Sequence, residues 1–160
     1  GRPMKPIAKL TAGLFIASLA PLALAEPDPD LLVGTWNCDY SETTDGVELD
    51  MQLKVNYRAD RTAVYDMTMN MEVPSMAPMN LGVAGSGNWS LEGDQLTTTT
   101  TEVSAENLGE PNPMVDMMIP QMEAGMMQES ESVSTIVELT RSRLVERTNE
   151  ADATTVTCTR

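Results

Sequence analysis

Histidine is absent from all 160 residues. Its absence removes the commonest general base and the commonest transition-metal ligand together. Cysteine occurs only at Cys38 and Cys158, and beyond residue 25 lysine occurs only at Lys54. No Gly-rich phosphate loop and no nucleophile elbow is present. Asp28, Asp30, Asp45 and Asp50 do not fall in a loop pattern that holds calcium. These gaps argue against an enzyme, and neither a cofactor nor a metal site is expected from them. Positive charge is also scarce, 10 Lys and Arg against 24 Asp and Glu, for a net charge of −14. A surface this negative repels nucleic acid and anionic headgroups and favours cationic partners.

Residues 1–25 read as a secretory signal. Gly1-Arg2-Pro3, ahead of Met4, read as an expression scar or a misplaced start. Lys5 and Lys9 supply a basic start, Leu10 to Leu24 carry no charge, and Ala23-Leu24-Ala25 suits signal peptidase. The apolar run falls short of the roughly 20 residues a membrane span needs. The mature chain would be Glu26 to Arg160, with 7 basic against 24 acidic residues. Residues 26–30 read as a flexible Pro-rich leader and residues 31–160 as one domain. A periplasmic or secreted location follows, with no membrane span in the mature chain. In such an oxidising compartment two cysteines are read first as a disulfide, Cys38–Cys158.

Most of the domain alternates with a period of two, the mark of half-buried strands. Leu32, Gly34, Trp36, Cys38 and Tyr40 share one face of the first strand. Glu48–Tyr57 follows, with Leu49, Met51, Leu53, Val55 and Tyr57 on one side. Thr62–Val73 repeats the pattern with Tyr65, Met67, Met69, Met71 and Val73. Further strands are predicted at 81–90, 95–103, 132–140, 143–148 and 153–159, with a turn at 149–152. Cysteines near both ends of such a series put the first and last strands side by side. The expected fold is therefore all-β: a small antiparallel up-and-down barrel of about eight strands, its disulfide facing inward beside Trp36.

Methionine supplies 12 residues of the mature chain, many of them in two clusters. The first is Met67, Met69, Met71, Met76 and Met79. The second follows Asn112-Pro113, where Met114, Met118, Met122 and Met126 recur every four residues with Met117 beside them. That spacing predicts a short amphipathic helix between strands five and six. Flexible thioethers fill irregular cores and line adaptable apolar sites. They are also soft ligands for Cu(I) or Ag(I), and Met67, Met69 and Met71 share one strand face. The helix either covers one barrel mouth over a soft cavity or plugs the barrel.

Gly34-Thr35-Trp36, Gly87-Asn88-Trp89 with Gly93-Asp94-Gln95-Leu96-Thr97, and the linked ends together resemble the lipocalin-like, or calycin, proteins. The resemblance extends to exported bacterial members of unknown function. It implies that Gly34-x-Trp36 caps one barrel end, with a late basic residue, Arg143 or Arg147, over the indole. It also implies a small apolar ligand inside, and contacts are expected from Trp36, Met51, Tyr65, Met67, Met69, Met71, Trp89, Met118 and Met122. Two other functions remain open: a module that binds or inhibits a cationic protein partner through its acidic surface, and Cu(I) or Ag(I) binding.

Overall fold

The computed structural model describes residues 26–149 and 153–160. The signal-peptide reading and residues 150–152 of the predicted last turn lie outside them. Eight strands run in chain order around a closed antiparallel barrel. They are β1 (Gly34–Thr44), β2 (Val47–Tyr57), β3 (Thr62–Glu72), β4 (Met79–Glu92), β5 (Gln95–Asn107), β6 (Glu131–Leu139), β7 (Arg143–Thr148) and β8 (Thr155–Thr159). Helix α1 (Pro29–Leu32) precedes β1, and α2 (Pro113–Gln128) lies between β5 and β6.

Closure occurs where the cysteines require it. Cys38 sits directly opposite Cys158 in the β1–β8 ladder, and the two are disulfide-bonded. Both are buried in the same core cluster as Trp36, so the bridge faces inward. This is the parity the alternation demands, because cross-strand partners project from the same face of a sheet.

The barrel is asymmetric along its length. Strands β1 to β5 have 11 to 14 residues, whereas β6, β7 and β8 have nine, six and five. The short strands complete only the half containing the starts of β1 and β3 and the ends of β2 and β4. That half holds the core: Leu32, Trp36, Tyr57, Trp89, Leu96, Ile136 and Leu144. Ladder pairing between β5 and β6 stops at Thr99 opposite Glu131. Along the rest of β5, Glu123 of α2 accepts a hydrogen bond from the Ala105 N–H at 3.1 Å. An otherwise open sheet edge thus gains a helical neighbour, one of the ways proteins protect such edges.

Two details differ from the sequence reading. Residues 26–30 are not wholly a leader, because α1 begins at Pro29, with the Asp28 side chain capping it. Leu32, at its end, is completely buried. The second difference is the face of α2. Its buried or half-buried residues are Val115, Ile119, Met122, Glu123 and Met126, while Met114, Met117 and Met118 are 65 %, 74 % and 43 % exposed. A four-residue repeat drifts about 40° per step around a helix of 3.6 residues per turn. The stripe that starts at Met114 on the outer side therefore reaches the barrel only at Met122.

Candidate ligand-binding interior

The closed end is built twice from the same parts. Trp36 is fully buried, and its indole Nε1 donates to the Leu32 carbonyl at 2.8 Å. Trp89, 2 % exposed, donates to the Arg58 carbonyl at 2.9 Å. Each ring carries a guanidinium on its face: Arg160 lies 3.9 Å from the Trp36 centroid and Arg61 lies 4.2 Å from that of Trp89. Tyr57 meets Trp89 edge-on at 5.8 Å. Each indole thus satisfies its single donor, which an aromatic buried this deeply requires.

Gly34 explains the first glycine of the motif. Its φ is +132°, and a Cβ at this position would collide with the Arg160 guanidinium. With that space empty, Arg160 reaches three carbonyls, donating to Val33 at 2.7 Å, Leu31 at 2.6 Å and Arg141 at 2.6 Å. The residue over Trp36 is therefore Arg160, and neither of the two candidates suggested by the resemblance takes that place. Arg143 instead pairs with Glu138 at 3.1 Å on the surface, and Arg147 is exposed.

Above this plug lies a cavity of about 240 Å³, with Leu53, Val55, Tyr57, Ala63, Tyr65 and Met67 among its lining residues. Thr98 and Thr100 of β5 contribute hydroxyls to the same wall. Gly85 leaves room for Tyr65, since a Cβ there would overlap the tyrosine ring. The ring can then lie across β4, with its hydroxyl 3.4 Å from Thr100 Oγ1.

Among the residues nominated from sequence, Tyr65 and Met67 line this cavity. Met51, Met69 and Met71 are half-buried further along the same inward face, where the register sets Met51 opposite Met69 and Met71 opposite Met79. Trp36 and Trp89 belong to the core cluster at the closed end. On α2, Met122 is half-buried and Met118 exposed. No group of three or more His, Cys, Asp or Glu placed to hold a metal occurs among the described residues. No described helix is long and apolar enough to cross a membrane.

One interior group escaped the sequence reading. Glu146 lies opposite Ile136 of the core, which turns its side chain into the barrel. Its Oε1 accepts from the Ser134 hydroxyl at 2.8 Å. Burial raises the Glu146 pKa above the ordinary carboxylate value, and the Ser134 hydrogen bond opposes that shift. Tyr57 is pushed well above the usual phenol pKa, first by burial and then by the Glu146 charge. Alternation along β7 could have flagged this carboxylate, since Leu144 and Glu146 share a face. The composition concealed it as one of 24 acidic residues.

A closed meander of eight antiparallel strands with an aromatic plug at one end and a cavity above it fits a ligand-binding type of barrel. The chain belongs to the lipocalin-like domain family, whose model matches residues 32–145. No curated protein matches it.

Proposed function

We propose that this protein is a non-catalytic binding protein that holds a small apolar ligand inside its barrel. The carrying observation is the mid-barrel cavity walled by Leu53, Val55, Ala63, Tyr65 and Met67. A cavity of about 150 Å³ accepts benzene. By proportion, about 240 Å³ suits a ligand of about ten non-hydrogen atoms. Met51, Met69 and Met71 border the approach from the open half, where unbranched thioethers adapt to ligands of varied shape. Trp36 and Trp89 serve this site indirectly, as its floor. The disulfide supports an exported protein, periplasmic or secreted.

The test is calorimetric titration with neutral eight-carbon probes such as 1-octanol. Saturable binding with a negative heat-capacity change is the expected result. Absence of binding across a series of neutral apolar probes would remove the reading.

One observation favours a second reading. The Met51–Met69 and Met71–Met79 cross-strand pairs gather four thioethers on one inward face. Soft ligands of this kind suit Cu(I). Titration with Cu(I) should show stoichiometric binding that vanishes when Met67, Met69 and Met71 become Leu. Equal binding by that triple variant would exclude the site.

A further inference from the structure

The polar groups inside the barrel are one-sided in their chemistry. Tyr57 lines the cavity and is 5 % exposed, yet its hydroxyl has no hydrogen-bond partner among the described residues. A buried hydroxyl left unpaired is destabilising, so the site has an unmet demand. Glu146 has one side-chain donor, Ser134, on one of its oxygens. Its other oxygen has none among the described residues.

No described cation answers either group. Lys54 and all six described arginines are exposed. Arg61 and Arg160 are committed to the two indoles, and Arg143 to Glu138. The cavity wall thus offers the Tyr57 hydroxyl beside apolar side chains. The half-buried Glu146 carboxylate, on the inward face opposite Ile136, lies beyond that wall and close enough for its charge to act on Tyr57. No described positive charge is there to receive an anion. Burial lifts Glu146, opposed only by the Ser134 hydrogen bond; a bound cation would add a counter-charge.

We propose that the barrel interior selects a small amine with a hydrocarbon body. Its ammonium group donates to Glu146 and to Tyr57, and its chain lies against Val55, Ala63, Tyr65 and Met67. This inference rests on the ligand-holding reading above and narrows it to one chemical class. It rejects fatty acids, whose carboxylates would meet Glu146 as like charges in a low-dielectric space.

The test compares octylamine, 1-octanol and octanoate by calorimetric titration near neutral pH. A salt concentration of about 0.5 M shortens the screening length to about 4 Å and suppresses attraction to the acidic surface. Octylamine should bind about tenfold or more tightly than 1-octanol, with octanoate weakest. Glu146→Gln keeps the Ser134 acceptor and should bring octylamine within about threefold of 1-octanol, leaving 1-octanol itself almost unchanged. Tyr57→Phe should weaken octylamine by a smaller factor, and near-UV circular dichroism would confirm that both variants keep the native packing.

If octanol binds but octylamine has no advantage, or if Glu146→Gln preserves that advantage, the amine inference falls and the ligand-holding reading stands. If no probe binds, both fall.

Discussion

Replacing Arg160 by Ala removes four interactions from one side chain. Three are hydrogen bonds from a charged donor, to the Leu31, Val33 and Arg141 carbonyls, and the fourth is the stack on Trp36. A hydrogen bond from a charged group contributes about 1.5–3 kcal/mol in favourable settings. Arg160 is exposed, so solvent screening lowers each to about 0.5–1 kcal/mol. The cation–π contact at an exposed site adds about 0.5–1 kcal/mol, giving a total of about 3 kcal/mol. For a domain of this size each kcal/mol moves the melting temperature by about 3–4 °C, so Arg160→Ala should melt about 10 °C lower. Arg160→Lys keeps a charge near the ring but loses the planar fork that reaches three carbonyls. It should recover less than half of the loss. Scanning calorimetry on the three proteins decides the matter. A shift below about 2 °C for Arg160→Ala would show that the contacts do not hold the barrel end together.

Two further outcomes follow from the same structure. Changing Cys38 and Cys158 together to Ala opens a loop spanning 120 residues of sequence separation. By the chain-entropy model this should cost up to about 5 kcal/mol, read as a lower urea midpoint with little change in near-UV signal if the barrel still forms. For Glu146, the raised folded-state pKa means that the native state binds this proton more tightly than the unfolded chain. Its contribution to stability is therefore present at low pH and is lost as pH rises through the ordinary glutamate value to the raised folded one. Glu146→Gln should gain on the wild type across that window in urea midpoints measured from about pH 4 to about pH 8. A constant difference at every pH would show that Glu146 is not shifted.

Much of the architecture was legible because period-two alternation leaves little choice of face. Leu49 to Tyr57 and Tyr65 to Met71 project inward as their spacing requires, and the cysteine parity placed the bridge inside. Where a helix intervenes, the four-residue methionine repeat misled, since burial on α2 follows Val115 and Ile119 once the angular drift is counted. Long-range choices were not legible either. Nothing near Trp36 in sequence points to Arg160, and the pairing depends on Gly34 leaving space for a guanidinium contributed from the far end of the chain. Glu146 was overlooked for a related reason, although Leu144 on the same strand face was a hint. A carboxylate on a strand reads as solvent-facing until its ladder partner is known to be the buried Ile136.

The most direct test of the central claim is calorimetric titration of 1-octanol into wild type and into Met67→Trp, which should fill the cavity from its own wall. Saturable binding to wild type and its loss in a folded Met67→Trp variant would show that the ligand occupies the barrel interior. Equal binding to both proteins would contradict an interior site.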